Sequence, residues 1–211
     1  MSGKAFGAKM KPHEPAKPTS ALEILLVDED ADRGRIFEAG LAGKAIVHRI
    51  SELRTAAVLA ATDTHAVDVL IISRQLPDDS MIKAIEELSR ARPMPIAVFV
   101  ETDQNDIARR AIRAGASGYI VKGLAADRVA TVVEVAIERF RLTDALLKEL
   151  TKSKSDLEAR KLIERAKGLL MEQRGVSEHA AYEALRKMAM ARGKPVREIA
   201  ETIVAIANML P

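Results

Sequence analysis

Apolar residues follow two different periods along the chain. Between residues 23 and 122, short apolar runs such as EILLVD and VDVLIIS alternate with stretches in which apolar residues recur every three or four positions. Such alternation of buried strands and amphipathic helices is typical of a parallel α/β sheet. The sequence therefore predicts a doubly wound (βα)5 fold. Its strands are predicted at 23–28, 45–50, 67–73, 95–101 and 118–122, and its helices at 33–42, 51–65, 79–90 and 104–114.

From Asp127 onward the pattern is helical, and neither Pro nor Gly interrupts it before Gly168. Positions that lie alternately three and four residues apart form a heptad pattern, and most of them are apolar. This spacing predicts a coiled coil over 127–156 that pairs two copies of the chain. A single solvated connecting helix is the alternative. The heptad positions are Val133, Ala136, Phe140, Thr143, Leu147, Leu150, Lys154 and Leu157.

Three shorter amphipathic patterns follow between residues 157 and 211. Gly175 is predicted to end the first helix, and Ser177 to cap the second. Gly193 should end the second helix, and Pro195 should start the third. Short helices bury their apolar faces only by packing on each other, so the sequence predicts a three-helix bundle.

Composition narrows the class of protein. The 211 residues are 48% hydrophobic, include no cysteine and carry a net charge of +3. Disulfides and thiol chemistry are excluded, and the lack of a run of 18 apolar residues argues against a membrane span. Residues 1–20 are rich in Pro and Lys without apolar periodicity, which predicts a flexible basic tail rather than a signal peptide. A cytoplasmic protein fits these features.

Polar residues follow the predicted strands. Asp28 and Glu29 follow the first strand, Ser73 the third and Lys122 the fifth, while Val100 lies at the end of the fourth. Parallel strands end at one edge of a sheet, so these residues should meet there. Over about 21–140 the arrangement resembles the receiver domain of two-component response regulators. The resemblance implies an acidic pair that holds Mg²⁺, a phosphoacceptor carboxylate on the third strand, and an assisting Thr or Ser and Lys.

Two positions depart from that family pattern. Ser73 stands where the resemblance implies the phosphoacceptor carboxylate, and Val100 where it implies Thr or Ser. A serine hydroxyl is neutral at pH 7, and no histidine at the other strand ends could activate it. We therefore interpret the domain as a pseudo-receiver without a cofactor. Asp28 and Glu29 are either solvated acids that cap the next helix or a residual Mg²⁺ site, and Lys122 is either a surface lysine or a catalytic remnant.

Two strings in the C-terminal part carry a second resemblance. ARKLIERAKGLLM, followed by RGVSEHAAYEALRKMAM, resembles the ANTAR domain over about 157–206. The resemblance implies binding to RNA hairpins in leader transcripts. The order of receiver, coiled coil and ANTAR domain, with the string GYIVKGLAADRV, is most similar to NasT-type regulators of nitrate assimilation. That similarity implies transcription antitermination and control by a partner sensor protein.

Cations beside the apolar stripes are the candidate RNA contacts. Residues 157–211 hold ten Lys and Arg against seven Asp and Glu, which places a modest positive excess at this end. Each cation could instead be a solvated surface charge. Tyr182 could stack on an unpaired base or pack into the core of the bundle. The candidate residues are Lys161, Arg165, Lys167, Arg174, Tyr182, Arg186 and Lys187.

The predicted domains are a basic tail (1–20), a pseudo-receiver (21–126), a coiled-coil helix (127–156) and an ANTAR bundle (157–211). Enzymatic activity is not expected, because the chain has no cysteine, only four histidines and no phosphate-cradling glycine loop. Two other functions stay open. One is a DNA-binding response regulator, although we expect the second bundle helix to lack the short turn and recognition helix of a helix-turn-helix motif. The other is a protein-interaction adaptor.

Overall fold

The computed structural model describes residues 21–102 and 106–209. The predicted tail and residues 104 and 105 of a predicted helix lie outside the described residues. None of the helices in the described part of the chain combines the length and apolar character that a membrane span requires. The strands are β1 (Leu22–Val27), β2 (Ala45–Ile50), β3 (Val69–Arg74), β4 (Ile96–Val100) and β5 (Gly118–Val121). The helices are α1 (Ala31–Leu41), α2 (Thr55–Thr64), α3 (Asp79–Ala91), α4 (Ile107–Ala114), α5 (Ala126–Arg174), α6 (Glu178–Arg192) and α7 (Val196–Met209).

All five strands pair in parallel, in the order β2-β1-β3-β4-β5. The predicted doubly wound α/β sheet is therefore confirmed. The three central strands bury nearly all of their side chains, because helices cover both faces of the sheet. This is why those strands appear in the sequence as continuous apolar runs rather than as alternating ones.

Each face of the sheet has its own core. On one face, apolar residues of α2, α3 and α4 pack on the strands, with Ile85 and Leu88 fully buried. On the other face, α1 and the first turns of α5 pack on the strands. There the ring of Phe37 meets that of Phe99 edge to face, with centroids 5.0 Å apart. Such a T-shaped pair adds favourable electrostatics to the buried area.

The first turns of α5 belong to the α/β domain. Val133 and Ala136 are each 1% exposed and pack on the sheet beside Val129 and Ile137. The prediction that Val133 and Ala136 line a coiled-coil seam is wrong. A helix that packs on a sheet also needs apolar residues three and four apart, so the spacing alone does not separate the two cases. The first compact unit accordingly extends to Phe140.

Helix α5 runs without interruption through Gly168 to Arg174, over 49 residues. The first bundle helix is therefore the last part of α5 rather than a separate short helix. A Cβ at Gly168 would meet no atom within 4 Å, apart from the helix's own nearby backbone. Close helix packing does not require this glycine.

The second compact unit begins at Arg141 and contains the predicted three-helix bundle. Helix α7 runs parallel to the end of α5, since Arg197 donates to Ser155 at 2.8 Å and Arg165 donates to Asn208 at 2.9 Å. The residues that form its buried core are Ala166, Leu170, Ala181, Leu185, Ala189, Ile199, Ala200 and Val204.

The predicted ends of the first two bundle helices and the predicted starts of the second and third are confirmed. Gly175 and Gly193 follow α5 and α6 with φ of 63° and 60°, a conformation that glycine adopts without a Cβ penalty. The Ser177 hydroxyl accepts a hydrogen bond from the backbone N–H of Ala180 at 3.3 Å and so caps α6. Pro195 directly precedes α7.

Replacing Val133 with Asp should destabilise the α/β domain, because an unpaired carboxylate would be buried between α5 and the sheet. We expect the free energy of unfolding to fall by about 3 kcal/mol or more. Val135 lies on the same helix and is 54% exposed, so Val135→Asp is the matched control and should have a small effect. Urea denaturation followed by circular dichroism measures both. Equal losses for the two variants would contradict the assignment of Val133 to this core.

Candidate functional site

The strand register brings the predicted polar residues to one edge of the sheet. Val27 pairs with Ile72, so Asp28 and Ser73, the next residues along β1 and β3, lie side by side. Arg74 pairs with Val100 on β4. The backbone N–H of Lys122 donates to the carbonyl of Val100 at 2.9 Å, which places the end of β5 at the same edge.

Asp28 lies buried at this edge, and its side chain has no exposed surface. Its two carboxylate oxygens accept hydrogen bonds from Arg33, at 2.8 Å from Nη2 and 3.3 Å from Nε. The Oδ1 atom also accepts from the backbone N–H of Asp30 at 2.8 Å. The interpretation of Asp28 as a solvated acid is therefore wrong, because Arg33 supplies the countercharge that burial demands.

The neighbouring acids have other partners. Asp30, rather than Asp28 or Glu29, caps α1, because its side chain accepts from the backbone N–H groups of Asp32 and Arg33 at 2.8 Å and 3.3 Å. These backbone hydrogen bonds lower the pKa of Asp30. A carboxylate oxygen of Glu29 lies 3.8 Å from Nη1 of Arg74. Each acid at the end of β1 thus faces at least one arginine.

A third arginine approaches from β2. Arg49 Nε donates to the backbone carbonyl of Asp28 at 3.4 Å. Its guanidinium also lies over Gly34, where an added Cβ would come within 2.8 Å of Nη1. The sequence reasoning missed all three arginines. One signal was present: Arg33 lies three residues after the capping Asp30, within the first turns of α1.

The other predicted site residues lie in unlike surroundings. Ser73 is 2% exposed, and Val100 is part of the buried core beneath α3 and α4. Val100 therefore fills a core position rather than offering a group to a ligand. Lys122 is exposed, has a φ of 51°, and forms no ion pair with the residues that the structure describes.

These residues do not fit the Mg²⁺ that a receiver fold implies. Both oxygens of Asp28 are engaged by Arg33, and Ser73 offers a neutral hydroxyl in place of a third carboxylate. Mg²⁺ prefers oxygen ligands in an octahedron and is normally held by carboxylates. No group of three or more acidic, His or Cys side chains in residues 21–102 and 106–209 has a metal-holding arrangement.

Of the seven predicted RNA contacts, Lys167 is buried and the other six are exposed. It is 8% exposed, and its Nζ lies 2.8 Å from Glu164 and 2.6 Å from Glu178. The hydrogen bonds that Lys167 donates to Glu164 and to Glu178 raise the pKa of Lys167, and the bond with Lys167 lowers the pKa of Glu178. Lys167 therefore ties the first turn of α6 to α5.

The other cations of α5 are exposed, and they lie on two sides of the helix. Arg165 donates to Asn208 of α7, and Lys161 lies one turn before it on the same side. Arg174 lies two turns beyond Lys167, on the side that faces the start of α6. The four predicted RNA residues of α5 therefore do not form one continuous patch on that helix.

Helix α6 presents an exposed row at a spacing of four residues. Tyr182 is 41% exposed, the Arg186 side chain is 61% exposed, and Met190 is 74% exposed. Lys187 is exposed as well. Core packing of Tyr182, the alternative to base stacking, is wrong, because the ring lies outside the buried cluster. Within this row, Arg186 forms an ion pair with the neighbouring Glu183, with Nη1 at 3.6 Å from Oε1.

The connection between α6 and α7 corrects one argument from the sequence. Only residues 193–195 separate the two helices, as Gly193 and Pro195 predict, so the argument against a helix-turn-helix motif cannot rest on the lack of a short turn. The character of α7 still differs from that of a recognition helix. Its exposed face carries Glu198 and Glu201 beside Arg197, and acids there would repel phosphates.

Comparison with known families decides the identity of the two halves. Residues 24–134 match the response regulator receiver domain, and residues 151–204 match the ANTAR domain. The transcriptional regulatory protein PdtaR of Mycobacterium tuberculosis is 34% identical over 162 residues, which cover 77% of this chain and 78% of PdtaR. The chain is an ANTAR-domain response regulator. Both matched families are regulatory domains rather than enzymes.

Two further similarities cover smaller parts of the chain. The nitrate regulatory protein of Klebsiella oxytoca is 45% identical over 58 residues, which cover 28% of this regulator and 15% of that protein. A crystal structure from Burkholderia pseudomallei, described as pilus assembly-related, is 26% identical with a TM-score of 0.50 and covers 60% of this chain and 96% of that one. The match of residues 24–134 to the receiver domain confirms the receiver-like fold that was predicted from the strand ends.

The Lys167–Glu178 pair predicts a pH dependence of the ANTAR bundle. The lowered pKa of Glu178 means that its stabilisation is complete above its ordinary value of about 4.3 and is lost as pH falls through the lower folded-state value. The raised pKa of Lys167 means that its stabilisation is complete below about 10.4 and is lost as pH rises through the higher folded-state value.

Lys167→Met should therefore lower the melting temperature by a constant amount between about pH 6 and 9. The difference from the wild type should shrink as pH falls below about 4.3, because the stabilisation by ionised Glu178 is lost progressively as pH falls through its lowered folded-state pKa. Lys187→Met, which removes an exposed lysine from α6, is the control and should leave the melting temperature nearly unchanged. A Lys167→Met difference that is as large at pH 3 as at pH 7 would contradict the pairing.

Proposed function

We propose that this regulator binds hairpins in leader mRNA through its ANTAR bundle and prevents transcription termination. The exposed row of Tyr182, Arg186 and Met190 on α6 carries the proposal. An exposed aromatic ring next to an arginine suits an unpaired loop base and its phosphate. The names of the two relatives, a transcriptional regulator and a nitrate regulator, support a role in gene regulation.

In this proposal Tyr182 stacks on a loop base, and Arg186 pairs with a phosphate one helical turn away. The exposed cations Lys161, Arg165, Arg174 and Lys187 serve as further phosphate contacts. Lys167 has a different role, because its two carboxylate partners and its burial leave it little surface for RNA. It positions α6, and so positions Tyr182 and Arg186.

Control in this proposal does not pass through phosphorylation. Ser73 offers no carboxylate, Val100 offers no hydroxyl, and Asp28 is held by Arg33. A partner sensor protein that binds the receiver supplies the signal instead, and the regulator catalyses no reaction itself. We place the protein in the cytoplasm, where leader transcripts are made, and leader RNAs of nitrate-assimilation operons are the first targets to test.

The middle of α5 supports a homodimer. Five leucines in residues 142–157 are 50–67% exposed, an unusual concentration of apolar surface on one helix. Leu147, Leu150 and Leu157 belong to the heptad pattern, whereas Leu142 and Leu146 extend the apolar face beyond it. An identical α5 is the occupant that matches this spacing, because two such helices can bury the leucines against each other. The sequence reasoning missed Leu142 and Leu146.

Salt dependence tests the RNA contacts. Binding of a leader hairpin should weaken with salt, and log K should fall by roughly 0.7–0.9 per phosphate contact for each tenfold rise in salt. Arg186→Ala should lower the affinity and flatten that slope by about one contact. Tyr182→Ala should lower the affinity with little change of slope, and Tyr182→Phe should retain most of it.

Arg197→Ala is the matched arginine control for this experiment, because Arg197 lies on the acidic face of α7 and should leave the slope unchanged. Filter binding with duplex DNA as competitor separates RNA recognition from DNA recognition. Equal slopes for wild type and Arg186→Ala, or tighter binding to duplex DNA, would contradict the proposal.

Self-association tests the leucine face. Replacing Leu147 and Leu150 together with Asp should convert dimers to monomers, because each buried leucine contributes about 1.5–3 kcal/mol and the charges would face each other. Ala145→Asp with Lys152→Asp places two acids on the opposite side of α5 and is the control. Light scattering over a range of concentrations, with and without RNA, measures the mass. The same mass for the leucine variant as for the wild type would contradict the interface.

A further inference from the structure

The acid pocket of the receiver contains its own positive charges. Asp28 is fully buried, and a buried carboxylate requires a countercharge that also forms hydrogen bonds with its oxygens. Arg33 meets both requirements, with Nη2 at 2.8 Å from Oδ1 and Nε at 3.3 Å from Oδ2. The planar guanidinium fork matches the two oxygens of a carboxylate, which a lysine ammonium does not.

The local fold places Arg33 where it can do this. Asp30 caps α1 through the backbone N–H groups of Asp32 and Arg33, and so fixes the first turn of the helix next to the end of β1. Arg33 also lies 3.7 Å from the Asp30 carboxylate. Its side chain is only 12% exposed. The guanidinium is therefore held in place by both acids, and its hydrogen bonding to Asp28 raises the pKa of Arg33.

The remaining charges of the pocket are balanced in the same way. Arg74 lies 3.8 Å from Glu29, and Arg49 donates to the backbone carbonyl of Asp28. Three arginines thus face the three acids at the end of β1. A divalent cation that entered this pocket would meet positive charges, and it would find Asp28 already occupied.

We propose that Arg33 is a built-in cation of the receiver, which occupies the Asp28 carboxylate in place of a divalent metal and excludes that metal from the pocket. This inference rests on the proposed phosphorylation-independent control. It adds a second obstacle to phosphorylation of the receiver, besides the missing carboxylate at position 73. Restoring a carboxylate at position 73 would then leave the pocket unable to bind metal. Metal binding would require that the Arg33 charge be removed as well.

Mn²⁺ binding tests this, because electron paramagnetic resonance reports the free ion directly. The variants are Ser73→Asp, Ser73→Asp with Arg33→Gln, and Ser73→Asp with Arg35→Gln as the control. Arg35 lies on the same helix, pairs with Asp32 and is exposed. We expect Mn²⁺ to bind the Arg33→Gln combination at least tenfold more tightly than either other variant.

Two results would overturn the inference. Ser73→Asp alone could bind Mn²⁺ as tightly as the combination with Arg33→Gln, which would show that Arg33 does not exclude the metal. Alternatively, the Arg33→Gln combination could fold, by circular dichroism, and still bind no more tightly than the control. The guanidinium charge would then not be the barrier.

A second measurement covers the case in which the Arg33→Gln combination does not fold. In otherwise wild-type protein, Asp28→Asn with Arg33→Gln should lower the melting temperature by clearly less than the two single changes added together, because each single change leaves one buried charge unpaired. Additive losses would contradict the pairing on which the inference depends.

A phosphorylation assay of the wild-type protein distinguishes failure of this inference from failure of the proposed phosphorylation-independent regulation. Intact mass after incubation with acetyl phosphate and Mg²⁺ should show no added phosphoryl group. A phosphorylated wild type together with a Ser73→Asp variant that binds no Mn²⁺ would contradict phosphorylation-independent control and leave the role of Arg33 standing. An unmodified wild type together with tight Mn²⁺ binding by Ser73→Asp would contradict the role of Arg33 and leave phosphorylation-independent control standing.

Discussion

Helix α5 is the constraint on which both halves of this regulator depend. Its first turns supply Val129, Val133 and Ala136 to the receiver core, and its last turns supply Ala166 and Leu170 to the ANTAR core. Because one helix contributes to both hydrophobic cores, neither core is complete without it. In the part of the chain that the structure describes, the stretch between them belongs to neither core, and its leucines are exposed. The helix therefore accounts for the stability of both domains and for the surface that we propose joins two copies.

Charged side chains are paired differently in the receiver and in the ANTAR bundle. In the receiver, arginines pair with the acids at the end of β1, and we propose that they exclude a metal from that pocket. In the ANTAR bundle, one lysine is used internally to hold α6, while the arginine and tyrosine of α6 remain exposed. We propose that the receiver is recognised by another protein, and that the exposed aromatic and cationic row of α6 is recognised by RNA.

The sequence predicted what periodicity and special residues determine. Continuous apolar runs identified the strands, and Gly175, Ser177 and Gly193 identified the helix ends, because these signals are local. It failed where one spacing serves two purposes: Val133 and Ala136 pack on a sheet, although their heptad spacing also fits a coiled coil. It also missed Arg33, because pairing between a strand end and the following helix depends on tertiary geometry.

The central claim is that RNA binds on α6 of the ANTAR bundle. Ultraviolet crosslinking of the full-length protein to a bound leader transcript, followed by mass spectrometry of the peptides, tests it most directly. The account predicts nucleotide adducts on the α6 peptide that contains Tyr182, because a base stacked on that ring is in direct contact with it. Adducts confined to residues 21–140, with none on α6, would contradict the claim and would move RNA recognition to the receiver.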